Sequence, residues 1–291
     1  MKKLLIASTV SVALAAVVSG QQRGAGGRGN QPPQTAQQAA PVDLTGYWVS
    51  VVTEDWRWRM ATPPKKDYQS LPLNQAARKV ADEWDLAKDD AAGLQCKPYG
   101  AGNIYRQPGR LHITWQDENT LKVEFDAGTQ TELLHFGAAP AATGPKTWQG
   151  ISTAAWERPG RNAVADARVA ESREQGLPPG GGGAGLRGAP PRNAAMFEGG
   201  SLSVKTTNFR DGYLRNNGVP YSENATLTTH LDRLPVSPNG DAWLIVSTVL
   251  EDPAYLTQPL YLSTQFKKEP NGAKWNPTPC RTDPPAVPRT K

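Results

Sequence analysis

This chain is poor in the residues that most often announce chemistry. Its 291 residues hold two cysteines, three histidines and three methionines. No CxxC, HxH or HExxH spacing occurs, which excludes the common zinc patterns. No GxSxG elbow presents a serine nucleophile. The glycines near residue 180 lack the Lys-Ser/Thr that completes a phosphate loop. No βαβ rhythm appears, so a parallel nucleotide-binding sheet is not expected. After the first twenty residues, no apolar run is long enough to span a membrane. The net charge is +5, yet no dense Lys/Arg stripe interleaves with aromatics. Nucleic acid is therefore not an expected partner. Part of the basic excess sits at Lys2, Lys3, Arg23, Arg28, Arg187 and Arg192, in segments with little to bury. No cofactor and no metal are expected, and nothing in the sequence sets an oligomeric state.

What is present begins with an address. Lys2 and Lys3 precede a mostly apolar run, Leu4 to Val18, and then the small residues Ser19 and Gly20. This reads as a secretory signal peptide over 1–20, with no cysteine to accept a lipid. A periplasmic or secreted location follows. Residues 21–41 are Gln, Gly, Ala and Pro and read as a disordered leader. A Gly/Pro-rich insertion, around 159–197, reads as a second disordered stretch, and Arg161 to Glu174 within it has the composition of a short helix. In an oxidising compartment the lone pair Cys96 and Cys280 is a candidate disulfide. It would tie the front of the fold to the C-terminal tail, 271–291.

Between the loose segments the pattern has period two. Leu111, Ile113 and Trp115 alternate with His112, Thr114 and Gln116; beyond a polar turn, Leu121, Val123 and Phe125 continue the alternation. That predicts a hairpin with one buried face. Similar runs follow at Thr131 to Phe136, Gln149 to Trp156, Leu202 to Thr206, Thr226 to Leu234, Ala242 to Leu250 and Leu260 to Lys268. With Leu44 to Thr53 they make about nine strands, antiparallel by connection length. One helix is expected over Gln75 to Lys88, capped by Asn74, with Val80 and Trp84 facing inward. The fold class is mainly β: an antiparallel up-and-down barrel of 8–10 strands spanning 42–270, with a β-sandwich as the alternative.

Asp43-Leu44-Thr45-Gly46-Tyr47-Trp48 resembles the first strand of lipocalin and avidin-like barrels, where a Gly-x-Trp lies at the closed end. The resemblance implies that Trp48 plugs the barrel and that a basic residue of the last strand, Lys267 or Lys268, covers it. A longer resemblance, over roughly Leu111 to Pro270, is to a family of uncharacterised secreted bacterial proteins. It is carried by Thr147-Trp148-Gln149-Gly150-Ile151-Ser152, Trp156-Glu157, Leu202 to Phe209, Gly218 to Glu223 and Asp252 to Pro259. Tyr221 stands where that family commonly has His. The resemblance implies no catalytic residues.

Candidate site residues fall in three groups. The loop Asn208 to Glu223 can close over a ligand at a barrel mouth, with Tyr213 and Tyr221 stacking and Arg215 holding an anion. Trp56 and Trp58 share a face if Trp56 to Arg59 is a strand, with Arg57 and Arg59 opposite, and paired indoles suit a sugar or aromatic ligand. Glu223, His230 and Asp232, with Tyr221, offer acid–base groups. His112, His135 and His230, on separate strands, would hold a metal only by converging inside the barrel. The leading functional reading is an exported barrel binding a small apolar or amphipathic molecule in its interior. The alternatives are a cofactor-independent lyase, isomerase or hydrolase, and an envelope structural or interaction module.

Overall fold

The computed structural model describes residues 34–157 and 200–281. The signal peptide expected over 1–20, most of the expected leader, the Gly/Pro-rich insertion and the last ten residues lie outside the described residues. The strands, in chain order, are β1 (Gly46–Val51), β2 (Arg110–Asp117), β3 (Thr120–Phe125), β4 (Gln130–Phe136), β5 (Ile151–Glu157), β6 (Ser201–Thr207), β7 (Gly212–Arg215), β8 (Val219–Tyr221), β9 (Thr226–Arg233), β10 (Trp243–Glu251) and β11 (Leu260–Glu269). Nine of them close into a barrel in the order β1-β11-β10-β9-β6-β5-β4-β3-β2, while β7 and β8 form a separate hairpin. Closure leaves no unpaired edge in this sheet. Two features depart from the up-and-down expectation. β4 and β5 run parallel, pairing Leu134 with Ser152. β6 pairs with β9, because the chain steps out to make the β7–β8 hairpin before returning.

Alternation along each strand decides what fills the interior. Leu111 and Ile113, Leu121 and Val123, Leu202 and Val204, Leu244 and Val246, and Phe266 are all buried in one cluster around Trp48. Each such side chain contributes about 1.5–3 kcal/mol when taken fully from water. The interior is thus a packed core, not the hollow that a ligand-filled barrel requires. Trp48 is completely buried and its indole N–H donates to the Leu44 carbonyl at 3.0 Å. The Lys268 ammonium lies 5.4 Å from its ring, and Lys267 pairs instead with Asp241.

One end of the barrel carries the helical segments. α1 (Trp56–Arg59) follows β1 directly. The single helix expected over Gln75 to Lys88 is two: α2 (Gln75–Glu83), capped by the Asn74 side chain, and α3 (Leu86–Ala91), capped by Asp85. The break falls at Trp84, whose ψ of 136° is extended. Ala77 and Ala81 face inward, and Val80 is exposed. Small residues on the inner face let α2 approach β8 closely. At the same end two tight turns, Lys97–Tyr99 and Ile104–Arg106, push Ile104 and Tyr105 into the barrel core.

The C-terminal segment then returns to this end. Trp275 packs edge-on against Tyr47 and His112. The Thr278 amide donates to the Asp126 carbonyl at 2.8 Å, and the Thr129 hydroxyl donates to the Thr278 carbonyl at 2.9 Å. Cys96 and Cys280 form the expected disulfide across a sequence separation of 184. No helix among the described residues is long and apolar enough to cross a membrane.

Candidate functional site

With the interior filled, the concavities open to a small molecule lie at the surface. At the helical end a cleft of about 230 Å³ opens between α1, the turns around Tyr99 and Gln107, and the returning tail. Its walls are mostly apolar: Met60, Ala61, Pro108, Ala127 and Pro279. Its polar residues are few: Arg59, Tyr99, Gln107, Thr278 and Arg281. That mixture is typical of a small-molecule site.

Each polar group is held in place. Tyr99 is 4% exposed and lies against Gly128, whose φ of +73° suits glycine and where a Cβ would come within 2.5 Å of the ring. Burial pushes the Tyr99 phenol up, partly offset by the backbone N–H and the charge of Arg281, so the hydroxyl stays protonated at neutral pH. Gln107 donates to the Pro98 carbonyl at 2.9 Å and to Asn216 Oδ1 at 3.0 Å. Arg59 donates to the Arg106 carbonyl at 3.0 Å, to Ser50 and to Glu54.

Behind this floor lies a cluster of guanidinium groups. Arg59, Arg106 and Arg215 are 5%, 8% and 8% exposed. They line a small hole with Trp58, Asn103, Gln107, Leu214 and Asn216, and Arg59 and Gln107 face both the hole and the cleft. Arg106 pairs with Asp55 at 2.6 Å, and Arg59 pairs with Glu54. Arg57 pairs with Asp67 at 2.6 Å. Arg215 donates only to the carbonyls of Gln69, at 2.8 Å, and Asp67, and stacks 4.2 Å from the centre of Trp58. Among the described residues no carboxylate forms an ion pair with it. Burial, partly offset by Asp55 and Asp67 and reinforced by the smaller effects of Arg106 and Arg57, lowers Arg215 to about 10. Burial and then Arg106 lower Arg59 to about 10. Both remain cationic at neutral pH.

The structure distributes the sequence-predicted residues unevenly. Arg215 and Trp58 come together. Trp56 does not join them: Trp56–Arg59 is one helical turn rather than a strand, and Trp56 is 67% exposed. The left-handed Asp55, at φ 51°, turns the chain there. The Tyr213 hydroxyl donates to Asp89 at 2.7 Å, and Lys97 lies over its ring. Tyr221 is fully buried against Phe209, walled by Gly100, Gly102 and Gly212, where added Cβ atoms would collide with its ring or hydroxyl. Neither tyrosine lines the cleft.

The acid–base candidates are also dispersed. Glu223 is exposed and pairs with Lys146 at 3.0 Å. His230 lies on the outer face of β9, 3.3 Å from Glu157. Asp232 shares that face and borders a broad open depression with Arg233, Leu234 and Ile245. None of the three meets Tyr221. His112 stacks on Tyr47 outside the barrel, 4.0 Å between ring centres. Among the described residues no group of three His, Cys, Asp or Glu is placed to hold a metal.

One buried carboxyl escaped the sequence reading. Glu132 points into the barrel, where it accepts from Tyr105 at 2.9 Å, from Ser152 at 2.7 Å and from Thr206 at 3.4 Å. No cation accompanies it, and burial raises it despite these three donors. It has no opening to the cleft and serves the core. Comparison with protein-family models, curated proteins and solved structures finds no match to this chain.

Proposed function

We propose that this is an exported binding protein for a small amphipathic molecule, held in the cleft at the helical end of the barrel. The observation that carries the reading is the cleft itself: apolar walls, a floor of Arg59, Tyr99 and Gln107, and a lip that includes Arg281. The disulfide, which pins one wall, suits an oxidising compartment outside the cytoplasm. The volume corresponds to roughly eight waters at about 30 Å³ each, so the occupant is a metabolite-sized molecule. The packed interior moves the site from inside the barrel to its end. The scattered Glu223, His230 and Asp232 give the enzymatic alternative no shared cavity.

The test is native mass spectrometry of the mature protein after incubation with a bacterial extract. A bound small molecule is expected on the wild type. The Ala61→Trp variant places an indole at the exposed rim of the cleft and should lose it. Retention of the same adduct by Ala61→Trp, or no adduct on the wild type, contradicts the reading.

A further inference from the structure

From the guanidinium cluster behind the cleft we infer that the bound molecule is a carboxylate, its head at the Arg59–Gln107 floor and one oxygen directed at the hole between Arg106 and Arg215. This deepens the cleft reading and rests on it.

The argument starts from charge. Arg59 and Arg106 each pair with a carboxylate, Glu54 and Asp55, and the half-exposed Arg57 takes Asp67, so among the described residues the buried Arg215 forms no ion pair, although Asp55 and Asp67 lie near enough to act on it. Burying an unpaired charge is costly, and proteins normally neutralise it or use it. Arg215 is held instead by backbone carbonyls and by the Trp58 ring. Its neighbours in the hole add amide groups from Asn103, Gln107 and Asn216. The hole measures about 10 Å³, the room of a single water or one ligand oxygen. Arg59 and Gln107 line both the cleft and the hole, so a head group at the floor contacts residues that also border the hole of Arg106 and Arg215.

Geometry selects the head. Guanidinium groups match planar carboxylates through paired N–H donors. Arg281, exposed at the lip, adds a second cation along the entrance. The apolar walls then take a short alkyl or aryl body.

The experiment compares hexanoate and phenylacetate with hexanamide and phenylacetamide by titration calorimetry at pH 7. Each amide has nearly the shape of its acid but no charge. The acids are expected to bind about tenfold or more tighter than the amides. Arg215→Met should abolish that preference. Arg281→Glu changes an exposed residue at the lip, so the fold survives, and it should weaken the acids several-fold more than the amides. Equal affinity for acid and amide in the wild type overturns the carboxylate inference and leaves the cleft standing. Binding of neither overturns both. An acid preference that persists in both variants places the head elsewhere and overturns the inference.

Discussion

Glu132 shows how much a single residue can alter the physics of a core. The sequence Thr131-Glu132-Leu133-Leu134 offers two apolar neighbours in a row, so alternation alone does not say which face is inward. Burial resolves it: Glu132 and Leu134 point in, Thr131 and Leu133 out. A carboxyl that burial raises favours its protonated form in the folded state. Its contribution to stability is full below the ordinary carboxyl value and is lost as pH rises through the raised one. Thermal unfolding between pH 4 and 8 should therefore show Glu132→Gln gaining on the wild type as pH increases. A constant difference across that range contradicts the assignment. Glu132→Ala removes the carboxyl that accepts from three hydroxyls, leaving Ser152 and Thr206 only each other and Tyr105 without this acceptor, and should cost about 2–4 kcal/mol at pH 4. Arg59, Arg106 and Arg215 were hidden for another reason. They come from a helical turn, a tight turn and the end of strand β7, far apart in sequence, and only the fold brings them to one hole. Of the three, only Arg215 stands in a sequence context that suggests anion binding; Arg59 alternates with Trp56 and Trp58 as on a strand.

At the scale of elements, regular pieces were legible and irregular ones were not. The strands were readable because one face of each is apolar, and period two has no competing explanation over six or more residues. The α2 start was readable from Asn74, whose side chain accepts from the Ala77 amide at 2.9 Å. Its end was not, since Asp85 begins a new helix where composition suggests continuation. Trp56–Arg59 alternates like a strand but is a single turn, too short for its pattern to decide. The returning tail is the element with the clearest consequence. Loop entropy credits its disulfide with up to about 5 kcal/mol. Cys280→Ser should lose a large part of that in urea unfolding, and it should loosen the wall formed by Thr278, Pro279 and Arg281. An unchanged unfolding midpoint, with the tail protease-resistant, would show that the hydrogen bonds to Asp126 and Thr129 hold the wall unaided.

For the whole molecule, the barrel is a scaffold whose filled interior fixes the position of what surrounds one end. Turns that bury Ile104 and Tyr105 also place Tyr99, Arg106 and Gln107, so packing and site are set by the same segment. The sequence conveyed the barrel and the staple, but not whether the barrel was hollow, because inward Leu and Val suit a lined cavity as well as a packed core. That distinction decides where binding takes place. A crystallographic fragment screen measures it without presupposing a ligand. Fragments are predicted to collect in the cleft bounded by Arg59, Tyr99, Gln107 and Pro279, with none inside the barrel. Fragments among Leu111, Val204 and Phe266, or a cleft left empty while other surfaces fill, would contradict the account.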